Sequence, residues 1–284
     1  MLKHMSLRAF SRNLLILSTL AIFCYLLEFH NTALQRSKNI ITKPTIQNTQ
    51  IPLIIHQVSR SNTSSLLTTD IPVKVWVDED LHELVDTRYP SLSEWFRRLN
   101  PGVLKADLGR YLIIYEFGGL YMDSDVLLNV DPRKWIKDEH HQETPIRAIL
   151  GIEKDSSGVS DWPKWFAREI QWCQWTFAFA PRHPLLKKVI DMSIARLQSN
   201  PIVPDGSNRM TYILDNTGPG LFSDAFYSYM EENHGLQLKD FAKLDDRRQI
   251  DDVLVLNGQA FGSFRGDPQD PRILVRHLYR GSWK

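Results

Sequence analysis

Hydrophobic positions along the chain fall into blocks of different spacing. From Leu14 to Leu27 every residue except Ser18 and Thr19 is apolar, and Lys3, Arg8 and Arg12 precede the run. A basic flank before an apolar run predicts a signal anchor, with residues 1–13 as a cytosolic tail and residues 14–29 as one transmembrane segment. The span is short for an average bilayer and suits the thinner early secretory membranes. No small-x-small cleavage site follows Leu27, which favours a retained anchor over a cleaved peptide. Residues 30–50 are polar, rich in Asn, Thr, Gln and Lys, and predict a flexible stem.

From residue 51 onward short apolar runs alternate with helical spacing. Ile51 to Val58, Val73 to Asp78, Ile146 to Glu153, Asp252 to Asn257 and Arg272 to Tyr279 predict strands. Leu81 to Asp86 and Leu92 to Leu99 predict short helices on either side of Pro90. Between Val103 and Phe117, Leu104, Leu108, Tyr111, Leu112 and Tyr115 recur every three or four residues, a helix that Gly118-Gly119 ends. The run that follows, "LYMDSDVLL", enters a strand. His183 to Leu197 predicts a helix entered through Pro184. Alternating strands and helices predict one α/β domain, residues 51–284, with a mainly parallel sheet covered on both faces.

Charge narrows the partners. Lys plus Arg number 34 against 33 Asp plus Glu, a net charge of +1, so no global basic field is present to bind nucleic acid. Of the two cysteines, Cys24 lies in the apolar N-terminal run, which leaves Cys173 without a disulfide partner in the body. It reads as a small buried hydrophobe. Asn62-Thr63-Ser64 is an N-glycosylation sequon in a polar stretch, in keeping with a lumenal body.

The chemistry concentrates in "KADLGRYLIIYEFGGLYMDSDV", Lys105 to Val126. Asp123 and Asp125 are two residues apart, and on extended backbone both carboxylates face the same way, toward one cation. They stand where an apolar strand ends, the usual place for a ligand crevice in an α/β sheet. Hard oxygen donors beside a diphosphate suit Mn²⁺ or Mg²⁺ rather than zinc. Asp107 and Arg110, three apart on the preceding helix, share a face. They form either an intrahelical ion pair or a pair of groups aimed at sugar hydroxyls.

That stretch resembles the A-D-x-x-R-Y…G-G-x-Y-x-D-x-D signature of glycosyltransferase family 32, the DXD-containing sugar transferases. "IPLIIHQV" is similar to the family's opening strand, with Ser59 standing where the family usually has Trp. "QWCQWTFAFAPRHPLL" (Gln171 to Leu186), "NTGPGLFSDAF" (Asn216 to Phe226) and "VRHLYRGSWK" (Val275 to Lys284) resemble segments of the fungal initiation-specific α-1,6-mannosyltransferase group. The matches run in order through nearly all of residues 51–284.

The resemblance implies a single GT-A domain, a Rossmann-like nucleotide-sugar fold. It also implies a retaining enzyme that moves mannose from GDP-mannose in α-1,6 linkage to an N-glycan core. Asp123, Asp125 and Arg110 would be catalytic. Asp123, Asp125 and His277 would hold Mn²⁺ or Mg²⁺, and Asp107 with Arg110 would hold the donor sugar. Asp123, Gly218, Gly220, Trp283 and Lys284 would meet the nucleotide and diphosphate, and Asn62 would carry a glycan. The expected setting is a Golgi or endoplasmic reticulum membrane, with the catalytic body in the lumen and partners in a mannosyltransferase complex. Two other readings stand beside it: a glycolipid transferase that mannosylates or galactosylates inositol phosphoceramide, and a non-catalytic subunit of such a complex.

Overall fold

The computed structural model describes residues 45–46, 49–60, 67–136, 144–263 and 270–280. The tail 1–13, the apolar segment 14–29, Asn62, Trp283 and Lys284 lie outside these residues. Among the described residues no helix is long and apolar enough to cross a membrane.

The chain runs β1 (Ile55–Val58), β2 (Val73–Trp76), α1 (Asp78–Arg88), α2 (Ser93–Arg97), α3 (Gly102–Phe117), β3 (Gly119–Met122), β4 (Val126–Leu128) and β5 (Ala148–Asp155). It continues with β6 (Ile170–Trp172), β7 (Thr176–Phe179), α4 (Pro184–Ser199), α5 (Asn208–Asn216), α6 (Pro219–His234), β8 (Arg248–Ile250), β9 (Val253–Leu256), β10 (Phe261–Ser263) and β11 (Val275–His277). The main sheet has the order β2-β1-β3-β7-β5-β9-β8, and β6 pairs with β5. β1 is parallel to β2 and β3, and β5 to β9, while β7 runs antiparallel between β3 and β5. Five strands thus share one direction, β7 is inverted at the centre, and β6 and β8 run antiparallel to β5 and β9, a mostly parallel α/β arrangement consistent with the GT-A type. Because β3 and β5 point the same way, the segments that leave their C-terminal ends emerge on one edge.

Alternation along the strands divides the core. Ala148, Leu150 and Ile152, with Phe177, Phe179, Val253 and Val255, pack with the helices. Ile149, Ala178, Leu254 and Leu256 face the other way. Successive strand side chains point to opposite faces, so apolar residues at every position require cover on both. Helices supply one layer. The other comes from a small sheet, β10-β11-β4, together with Ile46, Ile51 and Trp135. The second sheet packs closely enough that a Cβ on Gly151 would lie 2.4 Å from the Phe261 ring.

One boundary moves. Ile46 is fully buried, its N–H bonds to the Ile51 carbonyl, and the Gln50 N–H bonds to the Ile146 carbonyl. The compact body thus includes Thr45 and Ile46, and the last residues assigned to the stem 30–50 are part of it. The polar composition hid a single apolar anchor.

α3 is buried on almost every side, including Asp107 and Arg110. It touches the sheet, α4 and, where Gly109 leaves room for Leu81, α1. It ends at Gly118, whose φ of 65° and contact with Pro181 admit no Cβ. Gly119 follows at φ 103° and lies against the Ile54 carbonyl. The two glycines reverse the chain so that α3 and β3 present one end to the same place.

Candidate active site

Asp123 and Asp125 leave the end of β3 in a turn, not on extended backbone as the spacing predicts. The Val126 N–H closes back on the Asp123 carbonyl at 3.0 Å. Both carboxylates still converge, because each is fixed from a different side. The Tyr121 hydroxyl donates to Asp123 Oδ1 at 2.7 Å, and Arg110 Nη1 approaches the same oxygen at 3.4 Å. The Gln57 amide donates to the Asp123 carbonyl. Asp125 Oδ2 accepts from the Arg280 N–H at 2.9 Å, and the Asp125 carbonyl accepts from the Leu278 N–H. Each carboxylate therefore has one oxygen held by the protein and one left over.

The left-over oxygens meet His277 on β11, which pairs with β4 so that His277 stands opposite Val126. His277 Nε2 is 3.5 Å from Asp125 Oδ1 and 4.0 Å from Asp123 Oδ2. The ligand atoms of Asp123, Asp125 and His277 all lie within 4.8 Å of one another. Two carboxylates and one imidazole fit a hard divalent cation such as Mn²⁺ or Mg²⁺. His277 Nδ1 accepts from the Tyr279 N–H at 2.8 Å, so a neutral ring carries its proton on Nε2. Ligation through Nε2 requires the other tautomer and the release of that hydrogen bond. Tyr279 holds its backbone at φ 49° and lays its ring 4.1 Å from the imidazole. Burial lowers the His277 pKa, and the two aspartates work against that fall.

Asp107 and Arg110 form a second layer. Arg110 Nη2 meets Asp107 Oδ1 at 2.8 Å, and Nη1 donates to the Gln174 carbonyl at 3.1 Å. The guanidinium lies over the Tyr121 ring, 4.9 Å from its centroid. Asp107 Oδ2 accepts from the Thr217 hydroxyl at 2.8 Å. The Tyr111 hydroxyl contacts both Gln174 and the Thr217 carbonyl. Of the two alternatives open in the sequence, the structure shows the ion pair, and the Arg110 end of it also faces Asp123. Burial pushes the Asp107 pKa up to about 6, and Arg110 and Thr217 only partly offset it. Burial works against the Arg110 charge, but Asp123, Tyr121 and Asp107 hold it firmly protonated.

Gly218 and Gly220 begin α6 beside this layer. A Cβ at Gly218 would fall 2.8 Å from the Leu214 Cα, and one at Gly220 2.7 Å from Asp215 Oδ1. Their small size lets α5 and α6 meet, a packing reason that stands whether or not the turn also meets a diphosphate. Cys173 is fully buried, and burial pushes its thiol well up, as expected of a core residue.

Several site residues had no sequence signal of their own. Gln57, Tyr121, Gln174 and Thr217 sit inside quoted motifs, but their hydrogen-bonding roles need the fold. The Arg280 N–H is a backbone group that no pattern reveals.

Residues 36–142 match the family described as a glycosyltransferase sugar-binding region containing a DXD motif. The initiation-specific α-1,6-mannosyltransferase of Schizosaccharomyces pombe is 33% identical over 70% of this chain and 51% of its own length. The protein of that name from Candida albicans is 30% identical over 72% of this chain and 60% of its own. Inositol phosphoceramide mannosyltransferase 3 of S. pombe is 32% identical over 30% of this chain and 28% of its own. The chain thus spans about half to three fifths of the α-1,6-mannosyltransferases it matches. With the DXD turn, its histidine partner and the preceding helix all in place, residues 36–142 carry the DXD-containing sugar-binding region of glycosyltransferases, and the chain is a homologue of the initiation-specific α-1,6-mannosyltransferases over about 70% of its length.

Proposed function

We propose that this chain is a retaining, metal-dependent mannosyltransferase that moves mannose from GDP-mannose in α-1,6 linkage to an N-glycan core oligosaccharide. The observation that carries the reading is the division of labour at the DXD turn: Asp123 Oδ2, Asp125 Oδ1 and His277 Nε2 converge, while Tyr121, Arg110 and the Arg280 N–H hold the remaining oxygens. A bound Mn²⁺ or Mg²⁺ would offset the negative charge that develops on the departing diphosphate. Arg110 keeps Asp123 in place from the buried side and cannot lose its own charge. Asp107 and Arg110 are assigned to the donor sugar, and Gly218, Gly220, Trp283 and Lys284 to the nucleotide end.

The N-terminal pattern supports a signal anchor at 14–29 in a Golgi or endoplasmic reticulum membrane, with Asn62 glycosylated in the lumen. The likeness to an inositol phosphoceramide mannosyltransferase over 30% of the chain supports a glycolipid acceptor as the second reading. One experiment separates them. The purified protein is supplied with GDP-mannose and Mn²⁺, and products are analysed on a high-mannose N-glycan and on inositol phosphoceramide, with free GDP and UDP as competitors. An α-1,6 product on the N-glycan with inhibition by GDP is expected. Inhibition by UDP alone would overturn the donor, and transfer to the lipid alone would overturn the acceptor.

A further inference from the structure

The DXD turn lies on one edge of the sheet, and a second segment leaves the same edge after β5. Residues 156–169 join β5 to β6 and carry Trp162, Trp165 and Phe166 in the sequence WPKWF. Trp165 is 75% exposed and Val159 49%, which makes Trp165 the most exposed aromatic among the described residues. Leaving an indole in water forgoes about 2 kcal/mol or more of burial.

The segment is nonetheless held firmly at its base. Arg168 makes two bonds of 2.6 Å to Asp224 and one of 2.9 Å to Asp215. The Ser156 N–H bonds to the Glu169 carbonyl. The Gln171 amide accepts from the Ala167 N–H at 2.8 Å, and this fixes the direction of its NH₂ group, which donates to Glu153 at 2.7 Å.

Glu153 is a carboxylate that the metal site does not use. It stands near the C-terminal end of β5 and keeps partial exposure. Its other oxygen accepts from the Trp175 indole at 3.1 Å, and that indole packs against His277 at 4.9 Å. A carboxylate has about four lone-pair sites, and two protein donors leave spare capacity. Burial pushes the Glu153 pKa up, and Asp123 is close enough to add to the rise. On its other flank the segment touches the α5–α6 junction. Ala167 lies against Gly220, next to the Thr217 that bonds Asp107. The base of the segment therefore borders the donor-side layer through Ala167 and, by way of Gln171 and Glu153, reaches the Trp175 indole that packs on His277.

We propose that this border is the acceptor subsite: Glu153 accepts a hydrogen bond from the incoming sugar hydroxyl, and the Trp165 indole stacks on the apolar face of a more distant mannose ring. The inference rests on the mannosyltransferase reading for the identity of the sugar. An oligosaccharide suits the surface better than a protein partner, because a single flat aromatic beside a spare carboxylate offers a ring face and a hydroxyl acceptor but little apolar area.

The test uses the full-length protein in detergent, with Trp165→Ala, Trp165→Phe and Glu153→Gln. The first measurement is quenching of tryptophan fluorescence by a high-mannose oligosaccharide without donor. The second is transfer to that oligosaccharide and to methyl α-mannoside, with acceptor-free hydrolysis of GDP-mannose followed alongside. Trp165→Ala should raise the oligosaccharide KM about tenfold relative to that of methyl α-mannoside, with Trp165→Phe recovering most of the loss. Glu153→Gln should lower kcat/KM for both acceptors by about tenfold or more. An unchanged KM ratio in Trp165→Ala, a loss of donor hydrolysis parallel to the loss of transfer, or no quenching in the parent protein overturns the subsite. Quenching by phosphatidylcholine vesicles and not by the oligosaccharide overturns it in favour of a lipid surface. Quenching by the oligosaccharide in a protein that hydrolyses only UDP-sugars keeps the subsite and removes the donor reading.

Discussion

Replacing Asp107 by Asn should make the protein more stable at neutral pH and less active. Asp107 is 1% exposed, and burial raises its pKa from 3.8 to about 6. Between these values the folded protein holds a proton that the unfolded chain has already lost. Stability therefore falls as pH rises through this window. The difference of about 2.2 units corresponds to about 3 kcal/mol at pH 7. Asn is neutral throughout and can keep both contacts, with its carbonyl toward Arg110 and its NH₂ toward Thr217. The Thr217 hydroxyl can then turn its proton to the Ile213 carbonyl, 3.4 Å away. Near pH 4 the variant and the parent should melt together. By pH 7 the variant should melt about 6–12 °C higher for a body of this size. Its donor kcat/KM should fall about tenfold or more, because Arg110 loses the group that shares its charge with Asp123. The assay is thermal unfolding by circular dichroism across pH 4 to 7, with donor hydrolysis in parallel. A melting difference that stays constant with pH, or a variant less stable than the parent at pH 7, would show that attraction to Arg110 outweighs burial and refute the reasoning.

Asp125→Asn should keep the circular dichroism spectrum and lower transfer by about 10²–10³-fold; near-normal activity at saturating Mn²⁺ would remove Asp125 from the metal site. Burial lowers the His56 pKa to about 4. The unfolded chain takes up that proton first, so its stabilisation is present above pH 6.5 and lost as pH falls toward 4. His56→Gln should flatten this slope, worth about 3 kcal/mol, and expose the opposite slope of Asp107; an unaltered pH–melting curve would contradict it. Ile46→Ala should cost about 2–5 kcal/mol. A protein begun at Pro44 should accordingly unfold at higher urea than one begun at Ile51, and equal midpoints would return residues 44–50 to the stem.

The sequence made local features legible and hid those that depend on distant pairing. Apolar spacing placed α3, and Gly118-Gly119 marked its end, because both are written in neighbouring residues. The strands at 73–76 and 253–256 were visible as short apolar runs bounded by polar ones. β7 was not marked as an inverted strand, since Thr176 to Phe179 reads the same in either direction and only its pairing with β3 and β5 shows its sense. α5 escaped because its buried residues are few, Tyr212, Ile213 and Asn216. The site followed the same rule. Asp123 and Asp125 stood out by residue type, yet the inference of extended backbone failed because the chain turns at Ser124. Glu153 had no signal, since a lone Glu at the end of a strand is usually solvated. Its neighbours Gln171 and Trp175 become neighbours only through the pairing of β5 with β6 and β7.

The arrangement at the turn also explains why so much protein is spent on two carboxylates. A flexible aspartate pair would repel, splay into solvent and need reorganising each time charge develops between them. Here the repulsion is met from behind, by a guanidinium that lies under one carboxylate and a backbone N–H that reaches the other. Arg110 can do this because Asp107, Asp123 and the Gln174 carbonyl all face its buried guanidinium. An unpaired guanidinium at that depth would be costly. The Arg280 N–H reaches Asp125 only because β11 pairs with β4 and brings residue 280 beside residue 125. Fixing the outer oxygens orients the inner ones without using them. For the proposed transfer, that would meet the condition for electrostatic stabilisation without reorganisation. It follows that Tyr121, which holds Asp123, and Thr217, which holds Asp107 behind Arg110, belong to the same device although they touch neither free oxygen.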